Sequence, residues 1–432
     1  MTGDGSVTYD EAIQFLYDLQ FFGAKLELEN PRKLSKLAGN PQDELRFIHV
    51  AGTNGKGSTC AMLDSVYRRA GLKVGLFTSP HLVSFRERIR INGERIPEAE
   101  LVCEVTRMQA LLKKFPGPNH PTFFEVVVVL ALNWFKRNDC DLVIWETGLG
   151  GRLDATNIVT PLASVITNVS LDHQKWLGET VEEIAREKAG IIKPGVPTFT
   201  AADDPAALEV IRQTAANVGS EFVVVSAKDT QGSRLAGLKL SLRGAHQRLN
   251  AALAAAAVER LKDVIPVKAD LLAAGLEEAC LPGRFEVIEM DGGGSIVLDG
   301  AHNVAGVDSL LASLSEAFPE RKPTFILGIL DDKAWPAMCA KLAASAASVT
   351  LTPVASVRSA NAEALAETCR KANPAIEISV VESPAVALER CADRSLVVAT
   401  GSMHYLGEVM EALGIGVATE LNERSLNEYQ AS

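Results

Sequence analysis

The sequence predicts a two-part α/β protein, in which a large unit with a mostly parallel sheet precedes a smaller unit of related plan. Three observations carry that expectation. Short apolar runs rich in β-branched residues alternate with longer segments of helical spacing, the pattern of strands covered on both faces by helices. A glycine-rich stretch, HVAGTNGKGST over residues 49–59, joins one such run to one such segment. From residue 295 onward the alternation starts afresh, with SIVLDG, TFILGIL, ASVTLTPV, IEISVV and SLVVATG reading as buried strands between helical segments.

In the first unit the expected strands are 46–50, 73–78, 142–146, 163–168 and 198–201, and the expected helices are 58–70, 98–115, 124–136 and 181–188. Residues 126–132 have strand composition, but 122–136 is long enough to be assigned to a buried helix. An Ala-rich helix over 250–260 and LPGRFEVIEMDGGG follow, with glycines 292–294 as a hairpin turn or hinge. The expected domains are a P-loop ATPase domain over 1–281, a linker over 282–295 and a Rossmann-like α/β domain over 296–432. The polar stretch from Glu420 is expected to fray.

RFIHV before the glycines is strand-like, and Met62, Leu63, Val66, Tyr67 and Ala70 after them keep helical spacing. The usual P-loop runs Gly, four residues, Gly, Lys, then Ser or Thr. Here Gly57 stands between Lys56 and Ser58. A glycine loop at a helix N-terminus exposes backbone N–H groups where an anion is favoured. Lys56 adds a cation for the β- and γ-phosphates, and Ser58 or Thr59 offers Mg²⁺ a hydroxyl, with Ser58 preferred. A bare turn with a solvated lysine competes, but leaves three glycines, a lysine and paired hydroxyls at one junction unexplained.

Further along, LVIWE ends on Glu146, where a Mg²⁺-anchoring carboxylate belongs beside a phosphate loop, although strand ends also carry ordinary surface acids. GLGGRLDATN then supplies three glycines, Arg152 and Asp154. ITNVSLDH runs into Asp172 and His173, and a lone histidine is more often structural than a ligand. Lys188 closes an amphipathic segment, where a cation also complements the helix dipole.

Composition narrows the classes. With 43 Lys+Arg against 54 Asp+Glu the net charge is −11, which argues against a broad nucleic-acid or anionic-membrane surface. The seven cysteines are dispersed without a C-x-x-C pair, so a reduced, cytoplasmic protein without a zinc site is expected. The start MTGDGSVTYDEA does not read as a signal peptide, and the apolar runs are too short to span a bilayer.

Taken in order, GAKLELENP, AGTNGKGST, TSPHL, ERIRING, TFFE, ETGLGGRLDATN, LDH, EKAGIIK, PGRFE, LDGAHN and ATGSMHYLGE resemble the folylpolyglutamate synthase and dihydrofolate synthase family, within the Mur ligases. Any one string is short; the ordered series over most of the chain is specific. One departure stands out, since Glu27 occupies a position where the family prefers glycine.

The resemblance implies an ATP-dependent ligase that joins L-glutamate to dihydropteroate or a reduced folate, bifunctional in the bacterial manner. Thr53, Asn54, Gly55, Lys56, Gly57 and Ser58 would hold ATP phosphates, with Asn250, Arg284 and Asp299 contributing from elsewhere. Ser79, Glu146 and His173 resemble Mg²⁺ ligands, and Lys188 a lysine that the family often carbamylates. Lys56, Lys188, His173 and Arg284 form the catalytic set. Lys25, Leu26, Glu27, Leu28, Thr122, Phe123, Phe124, Glu125, Leu153, Asp154 and Ala155 would line the pterin side, and His302 and Ser402 the amino-acid side. For Asp299 and Ser402 a loop cap is the competing role, and for one of Phe123 and Phe124 core packing. ATP and Mg²⁺, with a monovalent cation as an addition, are the implied cofactors. The implied partners are small molecules only, and the implied state is a monomer.

Three rivals compete, one of them a catalytically idle nucleotide-binding protein. A cell-wall Mur ligase acting on a UDP-linked substrate usually carries a further N-terminal domain, for which the 51 residues before Gly52 are too few. A P-loop kinase or NTPase has no need of the second unit with its LDGAHN and ATGSMHYLGE.

Overall fold

The computed structural model describes residues 7–23, 25–115, 119–232, 235–290, 293–415 and 422–428. Eight strands form the first sheet: β1 (Phe47–Ala51), β2 (Val74–Phe77), β3 (Ile89–Ile91), β4 (Glu94–Arg95), β5 (Leu142–Glu146), β6 (Ala163–Ile166), β7 (Thr198–Thr200) and β8 (Phe222–Val224). Their order is β4-β3-β2-β5-β1-β6-β7-β8. Only the β3 pairings, to β2 and β4, are antiparallel. The second sheet comprises β9 (Glu286–Glu289), β10 (Ser295–Leu298), β11 (Thr324–Leu327), β12 (Ser348–Leu351), β13 (Glu377–Val380) and β14 (Leu396–Thr400) in the order β13-β12-β11-β14-β10-β9, with β9 alone antiparallel.

Both sheets are covered on both faces, and β5 shows why its sequence is continuously apolar. Leu142 and Ile144 point into one core with Met62, Val66 and Ala254, while Val143 and Trp145 point into the other with Val127 and Phe135. The run VVVVLAL lies within the helix Phe123–Arg137, as its length requires, and Thr122 caps that helix with Glu125 in a reciprocal capping box. The Ala-rich helix begins earlier than expected and spans Ala245–Arg260; its small side chains let it lie close on the helix Lys56–Arg69.

Several elements differ from the sequence expectation. ERIRING forms the β3–β4 hairpin, whose turn residues Asn92 and Gly93 have φ of 52° and 86°, the conformation an Asn-Gly pair favours. Helices Tyr9–Asp18, Glu29–Leu37, Pro205–Asn217 and Ala269–Glu278 and strand β8 were not among the expected elements. Strand β9 lies inside the expected linker and extends the second sheet. Met290 and Gly294 close its hairpin by a 2.8 Å backbone bond, while Gly292 lies outside the described residues. The fraying expected near the C-terminus does not hold for 422–428: Glu423, Leu426 and Asn427 are buried. Residues 420, 421 and 429–432 lie outside the described residues.

Strand direction positions the site. Because β2, β5, β1 and β6 run parallel and adjacent, their carboxyl ends deliver Ser79, Glu146, the Gly52–Gly55 turn and the 167–173 segment to one edge. That edge includes the point where the chain switches from one side of β1 to the other, the usual crevice of such sheets. In the second sheet β10, β11 and β14 likewise bring Asp299, Lys333 and Ser402 to one edge.

Candidate functional site

The phosphate loop is held by the segment after β6. Thr53 N donates to Asn168 O (2.9 Å), Asn54 N to Asn168 Oδ1 (2.8 Å), and the Thr167 hydroxyl to Asn54 O (2.6 Å). Gly52 has φ of 149°, and a Cβ there would overlap the Thr167 hydroxyl. The amides of Thr53 and Asn54 are thereby used internally. Those of Gly55, Lys56, Gly57 and Ser58 open the helix Lys56–Arg69, where no intrahelical acceptor exists and an anion fits. Lys56 Nζ folds onto Gly52 O (3.0 Å) and Thr53 O (3.3 Å). Asn250 sits so close to Gly55 that a Cβ there would lie 2.7 Å from its Oδ1.

The Ser58 hydroxyl is engaged by a neighbouring side chain. The residue is buried, and its Oγ accepts from Gln247 Nε2 at 3.1 Å. The position that faces Glu146 is Gly57, whose ideal Cβ would lie 4.0 Å from both carboxylate oxygens. On a helix, consecutive residues point about a quarter-turn apart or more, so the inserted glycine carries the hydroxyl away.

Glu146 and Ser79 meet directly: the Ser79 amide donates to Glu146 Oε2 at 3.0 Å. Burial pushes the Glu146 carboxyl up to about 7, against the lowering influence of Lys56, the Ser79 amide, Arg284 and Arg88. Glu146, Ser79 and Gly57 border a cleft that also reaches Arg284 and Met403 from the second unit. Among the described residues no three His, Cys, Asp or Glu side chains converge as a metal cluster. The Ser79 and Glu146 oxygens are the donors here that could hold a hard cation.

His173 enters from a residue at φ 51° that starts the short helix Gln174–Leu177. Burial, with Lys333 beside it, depresses its pKa to about 3, so the ring is a neutral donor near pH 7. Its neighbour Asp172 is the hub of an inter-unit cluster. Asp172 Oδ1 accepts from Lys333 Nζ (2.7 Å) and His173 N (2.8 Å), and Oδ2 from Asn303 Nδ2 (3.0 Å), with His302 Nε2 at 3.7 Å. Asn303 also exchanges side-chain hydrogen bonds with Asn54 of the phosphate loop, at 3.0 and 3.2 Å.

Lys188 is buried, and burial together with Lys56 lowers its amine to about 7, although Asp172 and Asp154 oppose the shift. A large neutral fraction at physiological pH makes it nucleophilic.

The expected pterin-side segments are brought together. Lys25 Nζ donates to Asn119 Oδ1 and His120 O (both 3.3 Å), Phe22 stacks on His120 at 4.2 Å, and the loop with Leu26, Glu27 and Leu28 thereby adjoins the start of the helix at Phe123. Phe123 packs into the core beside Phe85, whereas Phe124 is half-buried against Gly148. Burial raises the Glu125 carboxyl to about 7, and its Oε1 has no hydrogen-bond partner among the described residues. Asp154 accepts from Leu149 N (2.7 Å), Thr156 N (3.0 Å) and the Thr156 hydroxyl, and so orders its own loop. Leu153 and Ala155 flank it, with Ala155 in the core.

In the second unit, Arg284 Nη1 contacts Met403 Sδ at 3.0 Å at the cleft wall. Both Asp299 oxygens accept backbone amides, from Phe285 and Ala301 at 2.9 Å each, and the Ser402 hydroxyl caps the helix Met403–Ala412 through Tyr405 N (3.0 Å). The loop-cap role thus accounts for both side chains as they stand. His302 Nδ1 faces Gly300 O at 2.8 Å. Burial, with Lys333 nearby, lowers His302 to about 4.

Sequence reasoning did not single out Gln247, Asn303 or Lys333. Lys333 lies in the loop after β11, and the rule that ligands gather at the carboxyl ends of strands could have pointed to it.

Comparison with known proteins supplies the remaining finding. Residues 50–258 match the Mur ligase middle domain, and residues 283–403 match the Mur ligase glutamate ligase domain. A dihydrofolate synthase/folylpolyglutamate synthase of Bacillus subtilis is 34% identical over 433 residues, spanning 94% of this chain and 99% of the relative. A folylpolyglutamate synthase of Thermotoga maritima superposes with a TM-score of 0.82 at 33% identity, covering 96% of this chain and 98% of the other. The solved Escherichia coli FolC in complex with DHPP and ADP gives a TM-score of 0.82 at 29% identity, covering 94% and 98%.

Proposed function

Because the chain belongs to the folylpolyglutamate synthase/dihydrofolate synthase family of Mur ligases, we propose that it is bifunctional, adding L-glutamate both to dihydropteroate and to reduced folyl-polyglutamates. It is an ATP-dependent acid–amino-acid ligase. The observation that carries the reading is the convergence of two sheet edges on one cleft, with the phosphate loop and Glu146 on one side and Arg284 on the other.

A carboxylate is a poor electrophile, because oxide would have to leave. Transfer of the ATP γ-phosphoryl group to it gives an acyl phosphate; the glutamate amine attacks, and the tetrahedral intermediate expels phosphate to leave the amide. The amides at the start of the helix Lys56–Arg69 bind the phosphates, and Lys56, swung off its loop carbonyls, adds positive charge beside them. Arg284 opposes the charge that develops on the transferring group. Ser79, Glu146 and the neutral His173 would hold Mg²⁺, which when bound neutralises phosphate charge. The neutral amine of Lys188 would add to CO₂ with loss of a proton, giving a carbamate that is an anionic oxygen donor. Asn250 and the Asp299 loop border the nucleotide. The segments 25–28, 122–125 and 153–155 line the pterin side, and His302 and the Ser402 loop the amino-acid side. Closure of the units excludes water that would hydrolyse the acyl phosphate.

The same reading makes the protein a cytoplasmic monomer with small-molecule partners, a monovalent cation as an added cofactor, and neither a nucleic-acid nor a membrane partner. No helix among the described residues is long and apolar enough to cross a membrane.

The test supplies ATP and labelled glutamate with dihydropteroate and with tetrahydrofolate separately. ADP and labelled product should form with each acceptor, only when glutamate is present, and Lys56→Ala should lose activity while its circular dichroism is unchanged. Absence of ADP with both acceptors, beside an active control enzyme, would sink the assignment.

A further inference from the structure

The last described segment of the chain is built into the first unit. Glu423 is only 1% exposed, yet the hydrogen-bond partners of its carboxylate among the described residues are three uncharged donors. Oε2 accepts from the Ser84 hydroxyl (3.0 Å) and the Phe85 amide (2.5 Å), and Oε1 from the Tyr9 hydroxyl (2.9 Å). Burying a carboxylate is costly unless its oxygens are satisfied in this way, so the contact is a defined seat rather than a loose tail.

The seat extends to His81 and Arg88. His81 Nε2 donates to Glu423 O (2.8 Å), while its Nδ1 accepts from Arg88 Nε (2.8 Å), a pair of bonds that selects the Nε2–H tautomer. Asn427 completes the loop: its Nδ2 donates to His81 O (2.9 Å) and its Oδ1 accepts from Arg88 Nη2. On its other side the tail is tied to the second unit by the Arg424–Glu411 ion pair.

Besides Tyr9, Gln20 and Glu411, the tail grips one stretch, 81–88, that begins two residues after Ser79. That stretch is stiff. Glu87 accepts the amides of Leu82 (2.8 Å), Val83 (3.2 Å) and Ser84 (2.9 Å), and Leu82 O approaches Gly407 so closely that no Cβ fits there. A displacement imposed at His81 or Phe85 is therefore passed along the backbone to the Ser79 amide and its 3.0 Å bond to Glu146. We propose that Glu423 and Asn427 are positioning residues for the cation site: the tail sets the 79–88 backbone and so determines where Ser79 stands relative to Glu146. The inference rests on the ligase reading only for the identity of that cation.

The experiment compares wild type with Glu423→Gln, Asn427→Ala and the milder Ser84→Ala. Mn²⁺ binding is followed by the EPR signal of the free ion in the presence of ADP, and half-saturating Mg²⁺, kcat and the KM for glutamate are taken from ADP release. Glu423→Gln and Asn427→Ala should raise the Mn²⁺ Kd and half-saturating Mg²⁺ in parallel by about tenfold, the scale of one lost buried hydrogen bond. The KM for glutamate should stay within about twofold, as expected when the amino-acid side is untouched. Ser84→Ala should move the same two quantities by less. Folded variants that bind Mn²⁺ like wild type, or that lose kcat with unchanged metal dependence, overturn the proposal. Should Glu423→Gln fail to fold, Asn427→Ala and Ser84→Ala decide by the same criteria. A wild type without glutamate-dependent ADP release would defeat the ligase reading instead, while the Mn²⁺ comparison would still judge the tail.

Discussion

Lys333 Nζ lies 2.7 Å from Asp172 Oδ1, an ion pair that joins the loop after β11 to the segment after β6 across the two units. Both side chains are largely buried, at 8% and 7% exposure. Removing one partner strands the other charge, so Asp172→Ala should cost about 3–5 kcal/mol in urea unfolding. Asp172→Asn with Lys333→Met should recover part of that. Burial alone would raise the Asp172 carboxyl, but Lys333, His173 and His302 hold it below the ordinary range. Its contribution is then complete above the unfolded value of about 3.9 and is lost as pH falls through the lower folded value. The stability gap between wild type and Asp172→Ala should therefore persist at pH 5 and close only in stronger acid; a gap that closes between pH 7 and 5 would contradict the assignment.

Gly52 is required by a neighbour as well as by its backbone. Gly52→Ala would push a methyl into the Thr167 hydroxyl, which itself holds Asn54 O. Overpacking of this kind costs about 1–3 kcal/mol. Gly52→Ala should unfold at lower urea and bind ADP more weakly than wild type, and adding Thr167→Ala should recover stability but not ADP affinity. Equal stability of Gly52→Ala and wild type would show that the loop relaxes freely.

Cation binding should depend on pH through Glu146. Its carboxyl titrates at about 7, so it is mostly neutral at pH 6 and mostly ionised at pH 8. Mn²⁺ affinity should fall about tenfold between pH 8 and pH 6, following the ionised fraction of one such group. Glu146→Gln should bind Mn²⁺ weakly at both values and lose the slope. A wild-type slope retained in Glu146→Gln would assign the titration elsewhere.

Lys188, with an amine lowered to about 7, should take up labelled CO₂. A carbamate carbonyl resonance is expected in ¹³C NMR of wild type in labelled bicarbonate and should vanish in Lys188→Gln. Ligase activity should decline on CO₂ depletion and return on its restoration. Neither a resonance nor a CO₂ effect would leave Lys188 acting as an unmodified amine.

Much of this site was legible locally. Strand β1, the glycines and the helix Lys56–Arg69 are contiguous, so spacing alone located the phosphate loop. Glu146 and His173 were found because each follows an apolar run. The choice between Ser58 and Thr59 was open to sequence reasoning because the direction of a side chain on a first helical turn depends on where the helix starts, here at Lys56. Asp299 and Ser402 carry the residue types of both a ligand and a loop cap, and only the folded chain shows which backbone amides they meet. Strand β9 was taken for linker because an edge strand with no buried residue lacks the apolar signature of the central ones.

By itself the sequence determined the class of fold, the glycine loop between β1 and its following helix and, through its ordered motifs, the family. These are written in near-neighbour patterns, where hydrophobic period and glycine placement act within a few residues. The tertiary structure alone decided which units touch and through what: Asp172 with Lys333 across 161 positions, and Glu423 with Ser84 across 339. Such pairs are selected by the burial of charge and by complementary donors once sheets have closed, and no local period records them.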